Sequence, residues 1–415
     1  MAKSAQRFWV VSGFAVWVVF ACVSVVVAQD WTQWRGPNRD GVVASGHTAA
    51  SWANGLTEQW TVQVGSGYAT PILVGKRLYM YTRQGNNEVM MALDADSGME
   101  IWRTSYAAPF DMHPGTVPHG PGPKSTPAYA AGRLFALGMT GIVTAFDAET
   151  GDQLWQTSEA TAHPPQLFHT AMSPVVEGDS VIFHVGGHDD GELTAFDVKT
   201  GDIQWSWSGY GPAYGSPLVV ELEGVRQVVT FTREHMIGVS VDAGALLWQR
   251  PFPVNYDTSS QTPILFKDML IQAGRDNGIT AFRVIREGDA WTTDDVWQTR
   301  EVSLHMTNGV VADGVLLGLS HLNSGQYFGL DLETGEVLWK GAPRQAENAA
   351  MIRAGDTVIS LEDDAELLIV KPNRSSFDVL ERYEVASSST WTQPTLSGDR
   401  LYVKDLTSLT LWTLD

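Results

Sequence analysis

One phrase recurs along this chain at nearly constant spacing, and internal repetition decides architecture before any other signal. It reads Ala92-Leu93-Asp94-Ala95-Asp96-Ser97-Gly98 and ends at Trp102. It returns as Ala145 to Gly151 with Trp155, Ala195 to Gly201 with Trp205, and Gly329 to Gly335 with Trp339. Weaker copies end at Trp248 and Trp297, and a degenerate one at Tyr383. With Trp60 ahead of the first full copy there are eight aromatic anchors, running from residue 60 to residue 383 in seven steps of about 46 residues. A second signal sits between them as Thr70-Pro71, Thr126-Pro127, Ser173-Pro174, Ser216-Pro217 and Thr262-Pro263. It blurs at Thr307-Asn308 and Asn348-Ala349 and returns in part at Gln393-Pro394. It too counts eight.

Each unit parses as four strands, in the first case 69–74, 76–82, 88–94 and 100–105. The runs are apolar or alternating and are punctuated by Gly and Asn, the hairpin signal. The Asp-x-x-Thr-Gly phrase is a turn between third and fourth strands. Its Asp carboxylate can accept backbone N–H bonds, and its Gly supplies the positive φ. The following Trp packs between neighbouring sheets, and Pro heads a first strand where no ladder partner is needed. Eight four-stranded antiparallel units imply an all-β, eight-bladed β-propeller, whose radial closure protects the strand edges. The last unit, 391–414, holds only three strand-like runs. Residues 59–64, which carry Trp60, are the expected fourth strand, so that an N-terminal strand completes the last blade. An open solenoid is the alternative, and it gives no reason for that missing strand.

The Ala-x-Asp-x-x-Thr-Gly-x-x-x-Trp phrase resembles the repeat of the PQQ-binding-like β-propeller superfamily, and the resemblance covers nearly all of residues 56–415. That superfamily includes quinoprotein alcohol dehydrogenases and the outer-membrane assembly factor BamB. Trp31 to Arg39 also resembles the opening of many secreted members. For the enzymes, the resemblance implies PQQ held between a Trp and a disulfide of adjacent cysteines, with Ca²⁺ on Glu, Asn and Asp side chains. Here Cys22 is the only thiol, and no Asp-x-Asp-x-Asp-Gly calcium loop is present. The enzyme reading therefore lacks its most specific residues.

Residues 1–28 read as a secretory signal. Lys3 and Arg7 precede an apolar stretch from Phe8, and Val26-Val27-Ala28 offers a cleavage site before Gln29. A retained membrane anchor and a lipidated Cys22 are the alternatives. The expected division is signal 1–28, N-terminal arm 29–55 and propeller 56–415, with an extracytoplasmic location, periplasmic or secreted. Cleavage removes two basic residues and no acid, taking the formal charge from −20 to −22. Such a charge argues against nucleic-acid binding, which needs a basic stripe. It favours basic or mixed-polarity partners.

In a propeller, the loops leading into first strands and those joining second to third strands share one face around the axis; the Asp-x-x-Thr-Gly turns share the other. This nominates Tyr68, Lys124, Tyr214, His305 and Trp391 around one mouth. The second-to-third-strand loops add Arg83, His188, Asp189, Asp190, Arg233, His235, Arg275, Asp276, Asn277, His321, Asn323, Asp363, Lys404 and Asp405. Aromatics mixed with Lys, Arg and His can hold a planar anion by stacking and charge, although polar loops are also simply solvated. In the quinone reading PQQ lies over Trp391 or Tyr214, with Lys124 and Arg275 on its carboxylates. Tyr68, Asn277 and His305 line the same site, and Asp276 is the candidate base. His184, His188 and Asp189 lack a third ligand fixed by spacing, so no metal site is expected. The Pro- and Gly-rich insertion 109–124, with His113 and His119, is either a lid on this face or an ordinary long loop, and Trp34 and Arg35 either reach a ligand or pack the arm on the ring.

Two functions remain. The favoured one is a non-catalytic, monomeric scaffold that binds an envelope protein or a small ligand at the central face, BamB-like assembly of outer-membrane proteins being one form of it. No cofactor is firmly implied. The alternative is a PQQ- and Ca²⁺-dependent oxidoreductase acting on alcohols or sugars.

Overall fold

The structure is a computed structural model that describes Met1 and residues 29–43, 49–157 and 168–414. The expected signal, Cys22 included, lies outside the described residues. The rest forms eight antiparallel sheets arranged as blades. Blade 1 comprises Ile72–Val74, Arg77–Gln84, Asn87–Asp94 and Glu100–Ala107, innermost strand first. Blades 2 to 6 repeat this order down the chain. In blade 8, Leu56–Gln63 lies antiparallel to the C-terminal strand Ser408–Leu414, with Thr61 opposite Thr410, and supplies its fourth strand. Blade 7 gains a fifth: Val42–Val43 runs parallel to its innermost strand Ala349–Ala354. A solenoid has no such ring closure.

Burial explains the strand sequences. Second and third strands are covered on both faces by neighbouring blades, so Leu78 to Arg83 and Glu88 to Leu93 are continuously buried. Fourth strands face solvent on one side and alternate, as Glu100–Ala107 does. The apolar clusters accordingly run between blades: Tyr79, Tyr81 and Met90 of blade 1 pack with Leu134 and Phe146 of blade 2.

The recurring phrase builds the joint between blades. Asp147 Oδ1 accepts the N–H groups of Glu149 and Thr150 at 2.8 and 2.9 Å, and Gly151 takes φ +79°. The indole of Trp102, on the preceding blade, lies against that glycine and donates to Ala148 O at 3.2 Å. The contact repeats around the ring. Trp155 donates to Val198 O, Trp205 to Val241 O, Trp297 to Leu332 O and Trp339 to Asn373 O, each on the next blade's turn. Trp60, carried by the strand from the N-terminal side, donates to Asp96 O at 3.1 Å and joins blade 8 to blade 1.

Two anchors depart from the rule. Blade 5 replaces the turn phrase by a long hairpin, Gly278–Glu287 with Ala290–Thr299, so Trp248 donates to Gln227 of its own blade and meets Phe282 edge-on. At the degenerate seventh copy, the Tyr383 hydroxyl donates to Trp52 O in the short helix Ala49–Trp52.

Adding a Cβ at Gly151 would place it 2.5 Å from the Trp102 ring, whereas at Gly132, with a similar φ of +77°, nothing lies within 4 Å. Gly132→Ala should therefore cost only the left-handed backbone term, roughly 1–2 kcal/mol. Gly151→Ala should cost at least about 1 kcal/mol more, because the indole must leave its turn. Denaturant unfolding of the two variants checks this, and equal losses would show that the indole seat carries no weight.

Candidate functional site

The arm fills the axis of the propeller. Trp31 exchanges backbone hydrogen bonds of 2.8 and 3.0 Å with Leu73 on the innermost strand of blade 1, and Tyr129 of blade 2 donates to Thr32 O at 2.8 Å. The Trp34 indole donates to Thr262 Oγ1 at the head of blade 5, at 2.9 Å. Arg39 donates to Ser173 O and Pro174 O at blade 3, and Arg35 to Asn308 O and Gly309 O at blade 6. Gly41 O accepts from Arg353 of blade 7, and Gln29 O from Ser397 of blade 8. Fifteen consecutive residues, 29–43, thus touch the innermost strands, or the residues leading into them, of seven blades.

Arg35 and Arg39 are both buried on main-chain carbonyls. Loss of water lowers the guanidinium of Arg35 to about 10 and that of Arg39 to about 9. A guanidinium suits this place because its planar fork presents several donors to oxygens at the heads of separate strands.

Above this plug lies the mouth. Tyr68 and Trp391 are in contact at 6.4 Å between ring centroids. The insertion carries a 3₁₀ turn, Pro114–His119, and His119 sits edge-to-face with both Trp391 and Phe168 at 5.5 Å. Phe168 meets Tyr214 at 5.7 Å, which meets His188 at 5.7 Å. The insertion is therefore a lid across the central face, linking the loops that lead into blades 3 and 8. Desolvation raises the hydroxyl of Tyr68, and that of Tyr214 to about 12.

A second, polar group lies across the mouth. Asp276 accepts from His321 Nε2 at 2.9 Å and Asn255 Nδ2 at 3.0 Å, with Arg275 at 3.7 Å. These hydrogen bonds hold the Asp276 carboxyl below its ordinary range, His321 contributing most. His305 stands 5.8 Å from His321, and burial lowers it to about 4, with the Arg275 charge second. Arg275 also lies over Tyr256.

The nominated residues thus divide. Tyr68, Tyr214 and Trp391 belong to one aromatic chain, while Arg275, Asp276 and His305 form the polar group. Asn277 turns to Pro253 O at 2.5 Å, and Lys124 Nζ meets Met139 Sδ at 3.9 Å. Trp34 and Arg35 pack the ring rather than project from it. Sequence reasoning missed Phe168, Asn255, Tyr256 and the carbonyl-binding role of Arg39. Phe168 and Tyr256 stand in connecting loops outside every repeat signal, so no pattern singled them out.

The space beneath Trp391, bounded by Trp34, Arg35, Met306 and Gln393, is a cavity of about 30 Å³. That is room for roughly one water. Small-molecule sites run to roughly 300–1,000 Å³. A tricyclic quinone does not fit there, and no chemical step is derived through one. No metal-ligating cluster occurs among the described residues. His184 Nε2 and His188 Nδ1 bond carbonyls at 2.9 Å, and Asp189 pairs with Arg233 at 2.7 Å. On the turn face a hollow of about 420 Å³ opens between blades 3 and 4, but its Arg226 is paired with Glu177.

The profile of the family described as outer membrane protein assembly factor BamB matches residues 39–217, 86–341 and 212–415, in overlapping registers that follow the repeat. The chain belongs to this family. A BamB from Yersinia pestis is 26% identical over 266 residues, a match spanning 57% of this chain and 63% of that protein, which is under two thirds of its length. A BamB from Burkholderia pseudomallei is 24% identical over 360 residues, spanning 76% of this chain and 88% of the relative. A quinohemoprotein alcohol dehydrogenase from Comamonas testosteroni superposes with a TM-score of 0.67 at 14% identity, covering 93% of this chain and 80% of that one. At that identity the likeness shows the fold alone. No helix among the described residues is long and apolar enough to cross a membrane.

For this BamB-family chain, burial makes the histidines a pH liability. Desolvation lowers His169, His184 and His305 to about 4 each, from an ordinary 6.5. Between pH 6.5 and 4 the unfolded chain binds protons that the folded chain refuses, so stability falls as pH falls through that window. Glu362, raised to about 7 by burial, works in the opposite direction between pH 7 and its ordinary 4.5. His184 is fully buried with one carbonyl partner. His184→Gln should reduce proton uptake on unfolding at pH 5 by about one, flattening the stability slope by about 1.4 kcal/mol per pH unit. Unfolding free energies measured from pH 4.5 to 7 check this.

Proposed function

We propose that this protein is an extracytoplasmic, non-catalytic scaffold whose central face docks a segment of an outer-membrane assembly protein. The observation that carries the reading is the filled axis. Where a cofactor would need an enclosed cavity, the arm leaves a shallow, lidded face suited to a partner's side chains. Two relatives carry the name outer membrane protein assembly factor, which supports the same partner class. The rim offers a protein-type anchor: Tyr256 is 78% exposed, beside Arg275 and the Arg233–Asp257 pair at 3.1 Å. Exposed aromatics and arginines of this kind dominate binding energy at protein interfaces. In this reading residues 1–28 are removed as a secretory signal, and the acidic mature chain meets a basic or mixed-polarity surface.

Cross-linked capture from envelope extract should recover an outer-membrane assembly component, and Tyr256→Asn should weaken that capture by tenfold or more while leaving Tm unchanged. Asn suits the site because Tyr256 sits at φ +61°. Undiminished capture by the variant would move the interface off this face. The alternative, a quinone-dependent oxidoreductase, is tested by titrating PQQ with Ca²⁺. We expect no thermal shift at millimolar ligand, and saturable micromolar binding would reinstate it.

A further inference from the structure

Under the lid, between blades 1 and 2, lies a group of basic side chains that neither the plug nor the mouth uses. Arg83 is 4% exposed and His169 is 5% exposed. Phe110, from the insertion, holds them together: the Arg83 guanidinium lies 4.4 Å from its ring centroid, and the His169 ring meets it edge-on at 4.6 Å. Lys124 stands beside Met139, whose N–H binds the Glu88 carboxylate opposite Arg83, and its charge and that of Arg83 both disfavour protonation of His169 after burial has done so.

The donors in this group are unspent. Among the described residues Arg83 Nη1 and both ring nitrogens of His169 are buried without a hydrogen-bond partner. Lys124 Nζ has only the thioether of Met139. Buried polar groups are ordinarily satisfied, and leaving one bare is costly. Three such residues converging in one place are therefore either a strained core or a receptacle.

The neighbouring acid does not satisfy them. Glu88 sits across the strand pair from Arg83 and is fully buried. Its Oε2 accepts from the hydroxyls of Tyr81 and Tyr106, each at 2.7 Å, and its Oε1 accepts the Met139 N–H at 2.6 Å. Glu88 is thus committed to blades 1 and 2, yet its charge offsets one of the two cations. Burial lowers Lys124 to about 8, so at pH 7 it is still largely charged. One Arg and one Lys against one Glu leave a single positive charge, with an N–H of neutral His169 to spare.

We infer that Arg83, Lys124 and His169, beneath Phe110, form a binding site for one carboxylate group. A carboxylate matches the single net charge and can take the planar fork of Arg83. A phosphate dianion would leave an uncompensated negative charge in a buried place. Ingress requires Phe110 to swing aside with the lid. The inference is independent of the docking function proposed above.

The experiment is calorimetric titration of the mature chain at pH 7 and constant ionic strength. Sodium acetate, inorganic phosphate, and one short peptide with a free or an amidated C-terminus are the probes. Acetate should bind saturably, and phosphate at least tenfold more weakly. A free-carboxyl peptide binding more tightly than acetate, with its amide inert, assigns the site to a chain terminus; equal behaviour of both peptides with acetate bound assigns it to a small free acid. Lys124→Met should weaken acetate tenfold or more, as should Arg83→Gln, while Arg226→Gln, on the turn face, should not. Should Arg83→Gln fail to fold, Lys124→Met carries the test, since that side chain makes only a thioether contact. No saturable signal up to 50 mM acetate, phosphate binding as tight as acetate, or binding untouched by Lys124→Met overturns the inference. Loss of carboxylate binding with partner capture intact leaves the scaffold reading standing, and the reverse outcome removes only that reading.

Discussion

The ring is held by an indole lying on a glycine. At five of the eight joints the aromatic that ends a blade crosses to its neighbour, covers a glycine in the left-handed region and gives its N–H to a carbonyl of the same turn. Area, shape and one hydrogen bond act at the same spot. Because each contact joins adjacent blades only, errors in one need not propagate around the ring, which suits a repeat architecture. Closure must still be completed somewhere, and the strand that carries Trp60 does it by joining two segments some 350 residues apart, as Thr61 and Thr410 do. Contacts of such sequence separation are entropically expensive to form.

The same segment of chain that leads into the closing strand also fills the hole at the centre. Eight blades leave an axial opening, and here it is occupied by two tryptophans and two arginines instead of a ligand. The arginines donate to carbonyls that lead into innermost strands, groups that would otherwise need water, and to oxygens of the arm itself. The plug therefore satisfies the ring while the ring desolvates the plug. It also fixes the character of the opposite face: with the axis filled, the mouth is a lidded surface of aromatic and paired polar side chains.

Much of this was legible in the sequence. The phrase ending at Trp102, with its Asp turn and its glycine, gave blade number, strand count and the location of the mouth, because a repeat imposes the same local physics eight times. Tyr68, Tyr214 and Trp391 were nominated by their place in loops that lead into first strands, and the three lie in one aromatic chain. What repetition could not supply was everything particular to one blade. Trp248 lost its partner turn because blade 5 carries a long hairpin, and the pairing of His321 with Asp276 joins loops 45 residues apart with no shared motif. Arg39 escaped notice because its partners are carbonyls, which leave no trace in side-chain identity. Nothing in the spacing could say that Lys124 would turn to Met139 and Arg275 to Asp276 and Tyr256, because side-chain partners within one blade's loops are not part of the repeat.

The path of the arm has a geometric corollary. Gln29 and Asp30 are pinned to blades 8 and 1 at the ends of their innermost strands on the turn face, through Ser397 and the Gly75 N–H, and Val42–Val43 leaves beside Arg353 and Ala354. Between these points the chain climbs toward the mouth and doubles back. Gln29 and Asp30 thus lie at the pole remote from Tyr256 and Trp391. The same fifteen residues therefore reach from the turn pole to the space beneath Trp391, where Trp34 lies, and tie the two poles of the ring into one body.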